Sequence, residues 1–210
     1  MIRSIESLKF IFSVIIVYFH LFYTKLKPYI GQTETFQSLA KATLQSSRIV
    51  ECFLIIAGYF LYSGFKKNTQ KTFTSFASQR FIRLWPVLAF YVVCGSILGE
   101  YNIDHFILDL CFLRCTGISL EYRGAIWYIS PFFWCSLLIF SILKYFTKEK
   151  ALLFIAIVTY FCYVVNIQYA KGSMGRELIW GWLSLGSFRV FGGLGVGVIL
   201  GAIYESWFRK

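Results

Sequence analysis

The residues of this chain that could do acid–base chemistry lie on one side of its first apolar run, Ile5 to Tyr23. At about 100° per residue, Lys9 and His20 point within about 20° of each other, and Glu6 lies within about 60° of Lys9. Ionisable groups are costly in hydrocarbon, so such a row indicates a functional site that faces protein or water. A histidine there could act as a general base. The alternative is that Glu6 and Lys9 are interfacial residues and that His20 hydrogen-bonds a neighbouring helix.

A second carboxylate, Glu51, begins the second apolar run, one helical turn after Arg48. We expect Glu51 to lie at roughly the depth that His20 reaches from the opposite side of the membrane. A histidine paired with a carboxylate gains basicity and a fixed tautomer, as a general base requires. The alternative is an ion pair between Glu51 and Arg48 at the mouth of the helix.

Two arginines, Arg80 and Arg83, precede the third apolar run in the segment R-F-I-R-L-W-P. Guanidinium groups one turn apart could bind a phosphate-bearing ligand with paired hydrogen bonds. They could equally bind anionic lipid headgroups. Trp127 and Tyr128 open the fourth helix, where aromatic residues are also typical of the membrane interface.

The composition is typical of a membrane protein that crosses the bilayer several times. Of the 210 residues, 58% are hydrophobic and only 15% are charged, whereas soluble domains carry about 25% charged residues. The net charge of +11 does not indicate nucleic-acid binding, because the basic residues lie between apolar runs, as expected of cytoplasmic loops. The six cysteines lie mostly inside apolar runs, and no Cys/His spacing predicts a metal site. The N-terminal run is too long for a cleavable signal peptide.

Hydropathy predicts an all-α bundle of about six spanning helices with one short interfacial helix at Ile103 to Leu113. The predicted spans are, roughly, 7–25, 48–65, 84–99, 125–145, 150–168 and 188–207. The loop from Lys66 to Arg83 contains five basic residues and no acid, so we expect it in the cytoplasm. Alternation then puts both the N-terminus and the C-terminus in the cytoplasm. We expect residues 1–210 to form a single membrane domain.

Four landmarks in chain order resemble the membrane-bound acyltransferase-3 family of bacterial sugar O-acyltransferases. They are a basic residue and a histidine separated by ten residues (Lys9 and His20, after acidic Glu6), V-E-C-F-L-I-I-A-G-Y-F-L (Val50 to Leu61), S-Q-R-F-I-R-L-W-P (Ser78 to Pro86), and I-W-Y-I-S (Ile126 to Ser130) followed by G-S-F-R-V-F-G-G-L-G-V-G. Each landmark alone is weak, but together they span about nine-tenths of the chain.

The resemblance implies an O-acyltransferase of the bacterial inner membrane. An acyl group, usually acetyl, would pass from cytoplasmic acetyl-CoA through the protein to a hydroxyl of a surface polysaccharide or lipid-linked sugar. No cofactor would be permanently bound, and membrane lipids would surround the chain. The implied roles are a catalytic His20 oriented by Glu51 or Glu6, a CoA-binding set of Lys9, Arg80 and Arg83, and a substrate-binding pair of Trp127 and Tyr128.

The sequence also departs from the family pattern. Lys9 stands where the family usually has arginine, so any bidentate contact of that arginine is lost. The glutamate that lipopolysaccharide-modifying branches carry after Trp127-Tyr128 is absent. The chain is also shorter than usual, so it resembles a C-terminally truncated, N-terminal part of the family domain. A partner chain or a second copy could complete the bundle.

Two other functions stay open on the sequence alone. An inactive remnant would give no phenotype when His20 is replaced by alanine. A small membrane transporter would also suit a row of polar residues across the membrane, and it would move a solute without acyl transfer.

Overall fold

The computed structural model describes residues 7–8, 10–15, 46–97, 103–116, 127–169, 178–179 and 183–208. The chain divides into two compact units, Met1–Phe53 and Leu54–Lys210. In the first unit, residues 10–15 are helical, and the ring of Phe12 meets that of Phe53 edge-to-face at 5.8 Å. The first long helix runs through the boundary between the two units, so its last part belongs to the second unit.

The described residues fold as a helical bundle, which confirms the predicted all-α class. The elements in chain order are α1 (Ser46–Lys67), α2 (Phe73–Ile97), α3 (Ile103–Leu110), α4 (Ile129–Tyr145), α5 (Lys148–Tyr169), β1 (Leu178–Ile179), β2 (Leu183–Ser184) and α6 (Leu185–Phe208). Four of the described helices, α1, α2, α5 and α6, are long and apolar enough to cross a membrane. The apolar helix α4 has 17 residues, or about 25 Å, slightly less than the hydrocarbon thickness of about 30 Å.

Helix α6 is the most enclosed of the four candidate spans, and glycines let its neighbours approach closely. A methyl group added at Gly58 of α1 would overlap the Leu194 carbonyl of α6, and one at Gly197 would lie 2.7 Å from the Tyr59 nitrogen of α1. On the α5 side, the ring of Tyr163 lies 3.1 Å from where a Cβ of Gly192 would stand. Small residues that bring backbones together are typical of helix pairs in membranes, where packing rather than hydrophobic burial drives association.

Helix α2 begins at Phe73, well before the predicted start at residue 84. The Thr72 hydroxyl accepts a hydrogen bond from the Ser75 amide at 3.3 Å, which caps the first turn of the helix. The short connection from α1 is held by the Lys144 ammonium, which donates to the Thr69 carbonyl at 2.7 Å. The predicted loop from Lys66 to Arg83 is therefore mostly helix.

The turn after the short helix α3 packs against α2 and α4, and Phe112 at this turn is buried. Phe112 stacks on Phe133 of α4 at 4.5 Å and meets Phe81 of α2 at 5.9 Å. Phe81 lies about 24 Å from the Ile97 end of α2 at 1.5 Å per residue. The turn after α3 therefore lies beside the Phe81 part of α2. Helix α3 falls where the sequence predicted a short helix, and its location at the membrane interface stays a prediction. Phe112 and Cys115 take positive φ angles of 58° and 56°, which make the sharp turn after α3.

A two-residue antiparallel ladder, not predicted from the sequence, precedes α6. Leu178 pairs with Ser184, and Ile179 pairs with Leu183. The Ser184 hydroxyl then accepts a hydrogen bond from the Gly186 amide at 3.2 Å, at the start of α6. The ladder and this cap fix where α6 begins.

The contact between α1 and α6 makes a direct prediction for stability. Gly58→Ala and Gly197→Ala should each destabilise the fold by about 1–3 kcal/mol, because backbone atoms would have to move apart. Gly64→Ala is the matched control in α1, since nothing lies within 4 Å of its added methyl group. Thermal unfolding of the detergent-purified chain should show lower midpoints for the first two variants only. A midpoint of Gly58→Ala equal to that of Gly64→Ala would contradict the close contact.

Candidate functional site

Three residues of the predicted polar row, Glu6, Lys9 and His20, lie outside the described residues. Their roles as base, orienting acid and CoA-binding cation therefore stay predictions. The fourth acid–base candidate, Glu51, is described. It lies in the second turn of α1, in the first compact unit, and only 8% of its surface is exposed. Both the role of Glu51 as an orienting acid and the alternative ion pair with Arg48 stay predictions.

Arg80 is held between aromatic rings of two helices. Its guanidinium carbon lies 5.2 Å from the ring centre of Phe76 on α2 and 5.2 Å from that of Phe132 on α4. Phe76 in turn stacks on Phe140 of α4 at 4.1 Å, with the rings nearly parallel. Cation–π contacts of this kind stabilise a partly buried guanidinium while leaving its N–H groups able to donate to a ligand.

Arg83 and Lys71 are close to Arg80. Arg83 is exposed and follows Arg80 by one turn of α2, so both project from the same side of the helix. The Lys71 ammonium lies 5.3 Å from the Phe76 ring centre and donates a hydrogen bond to the Gln79 side chain. Burial, and then the charges of Arg80 and Arg83, lower the pKa of Lys71. We call Lys71, Arg80 and Arg83 the cationic cluster.

The cationic cluster has no neutralising acid in the part of the chain that the structure describes. Neither Arg80 nor Arg83 has a carboxylate within ion-pair distance there. Glu205 of α6 is engaged by α1: Lys66 lies 3.9 Å from one of its oxygens, and the Tyr62 hydroxyl donates to the other at 3.1 Å. The cluster thus presents positive charge that the described residues leave uncompensated, as an anion-binding site does.

Trp127 and Tyr128 have different environments. The Trp127 indole is 4% exposed, lies against Gly186 at the start of α6, and is covered by the Arg189 guanidinium at 5.6 Å. Tyr128 is 36% exposed. A lipid-facing belt therefore does not describe Trp127, which is enclosed by protein. Of the two, Tyr128 is the residue that a substrate could reach, and the substrate-binding role of the pair stays a prediction.

The sequence matches the family model described as an acyltransferase domain over residues 2–210. The chain belongs to the acyltransferase-3 family. Neither a comparison with curated proteins nor one with solved structures finds a match. Membership, together with the apolar helices, makes this chain a membrane acyltransferase at the level of the family. The match covers both compact units.

Sequence reasoning missed two buried charged features of this acyltransferase-3 chain. Arg189 is only 3% exposed and lies over the ring of Trp127. It is the single charged residue between Leu185 and Tyr204. A lone charge in an apolar run is itself a signal of a specific role. Asp109 of α3 and Arg114 of the turn after it form an ion pair, and each side chain is 1% exposed. Their pairing depends on the turn at Phe112, which the sequence does not reveal.

The buried pair predicts an asymmetric response to substitution. Asp109→Asn should lower the free energy of unfolding by about 3–5 kcal/mol, because it leaves the Arg114 charge buried without its carboxylate. The double variant Asp109→Asn with Arg114→Gln should lose less, since the uncompensated charge is gone. Denaturant unfolding in detergent measures both values. A double variant that is less stable than Asp109→Asn would contradict the ion pair.

Proposed function

We propose that this chain is an inner-membrane O-acetyltransferase that moves an acetyl group from cytoplasmic acetyl-CoA to a hydroxyl of a cell-surface glycan. The observation that supports acetyl-CoA as the donor is the cationic cluster. Its Arg80 lies between two aromatic rings and has no carboxylate neighbour among the described residues. The phosphates of CoA are ligands of the chemistry that such a cluster binds. Family membership supports the acyl transfer.

The orientation belongs to the same proposal. Basic residues are concentrated at the α1–α2 turn and at the α4–α5 turn, and they are Lys66, Lys67, Lys71, Lys144, Lys148 and Lys150. Lys144 contacts the α1–α2 turn directly, so the two turns lie at the same end of the bundle. The excess of lysine there supports a cytoplasmic location for this end. The donor would then be bound at the side where CoA is available.

The reaction would be a direct exchange of a thioester for an ester. His20 removes the proton from the acceptor hydroxyl, with Glu51 or Glu6 orienting the imidazole. The hydroxyl oxygen forms a bond with the acetyl carbonyl carbon, the carbon–sulfur bond breaks, and CoA leaves as the thiol with the proton that His20 removed. The exposed Tyr128, beside the enclosed Trp127, would contact the acceptor sugar.

The test is the mass of surface glycans from cells that carry the gene. The wild type should add acetyl mass increments, and His20→Ala should lower them by about a hundredfold or more, because general-base catalysis contributes about 10²–10⁴ in rate. Arg80→Gln should lower them as well by weakening donor binding. The matched control is His105→Ala, which replaces the second of the two histidines and should keep the increments.

Two results would contradict the proposal. Glycans without any acetyl increment in the wild type, with the protein verified in the membrane, would argue against the reaction. Increments that persist in His20→Ala but disappear in His105→Ala would argue against the assigned base.

A further inference from the structure

We propose that Lys71 is a third phosphate-binding residue, and that Lys71, Arg80 and Arg83 together bind a phosphomonoester carrying about two negative charges. This inference rests on the proposed CoA donor, whose ribose carries such a phosphate. The lysine was not among the residues that the sequence assigned to the donor.

The ring of Phe76 lies beside both Lys71 and Arg80. Lys71 and Arg80 lie at nearly equal distances, 5.3 and 5.2 Å, from the ring centre of Phe76. One side of that ring is occupied by the stacked ring of Phe140. The two cations therefore share what remains of one small aromatic surface, and Phe76 itself is only 8% exposed.

The turn that carries Lys71 is anchored at both ends. The Lys144 ammonium of α4 binds the Thr69 carbonyl at 2.7 Å, and the Thr72 hydroxyl caps α2. The Gln79 side chain accepts a hydrogen bond from the Lys71 ammonium itself. Lys71 is thus positioned before any ligand arrives, which reduces the entropy lost on binding.

The amount of charge selects the kind of phosphate. Three cations held together repel one another, and the repulsion is relieved most by an anion of matching charge. A phosphomonoester carries about −1.5 to −2 at pH 7, whereas the phosphodiester of a membrane lipid such as phosphatidylglycerol carries one negative charge. The cluster should therefore favour the monoester over a lipid headgroup.

The experiment compares CoA with 3′-dephospho-CoA, which lacks the monoester, on the full chain in phosphatidylcholine nanodiscs by calorimetry. The wild type should bind CoA about tenfold more tightly, the contribution of about one charge-assisted hydrogen bond. Lys71→Gln should lose most of this preference, and Lys71→Arg should keep it. The matched control Lys67→Gln replaces an exposed lysine at the end of α1 and should behave as wild type.

Each alternative gives a different result. CoA bound with an unchanged preference by Lys71→Gln would overturn the role of Lys71 while leaving the donor intact. The wild type could instead retain phosphatidylglycerol that Lys71→Gln loses, while binding CoA and 3′-dephospho-CoA with equal affinity. That result would assign the cluster to lipid and overturn the inference. A Lys71-dependent preference without acetyl transfer to glycans would support this inference and contradict only the proposed function.

Discussion

Close packing around α6 is the constraint on which the second compact unit depends, and its contact with α1 at Gly58 and Gly197 is one part of that packing. In a membrane, helices gain little from leaving lipid, so their association relies on tight packing. Helix α5 packs on another side of α6, at Gly192 and Gly195. Helix α4 also packs on α6. Helix α2 packs mainly on α3 and α4. The position of the cationic cluster therefore depends on α4, through the stacked rings of Phe76 and Phe140.

Long apolar runs made most of the described fold predictable. The predicted ends of α1, α5 and α6 lie within three residues of the observed ones, because hydropathy detects a span that is apolar along its whole length. The same reasoning failed at α2, since it assigned Arg80 and Arg83 to a loop. Charged residues can lie inside a membrane helix when their stems and heads are covered by aromatic rings. The rings that do this for Arg80 belong partly to α4, about fifty residues later, and no local pattern reveals them.

The candidate site was predictable in its residue types and less so in its contacts. Residue type and spacing singled out Glu51, Arg80 and Arg83, and the structure describes Glu51 on α1 in the first compact unit and the two arginines on α2 in the second. The cover of Trp127 by Arg189 joins positions that are far apart in the chain, and the ion pair of Asp109 with Arg114 forms across the turn at Phe112. A shift of that turn would separate Asp109 from Arg114, so this contact follows from the fold rather than from the local sequence pattern.

Lys66 and Lys71 have different electrostatic environments. The first lysine takes part in helix packing, whereas the second is a candidate for ligand binding. Lys66 is neutralised by Glu205, whose other oxygen accepts from Tyr62, so that α1 and α6 are joined by a closed network. An exposed pair of this kind adds little stability, but it leaves no charge for a ligand. Lys71 instead lies near Arg80 and Arg83, and like charges held together cost free energy. Among the residues that the structure describes, no carboxylate pairs with Arg80 or Arg83, whereas Lys66 is neutralised, and such electrostatics would suit the binding of an anion.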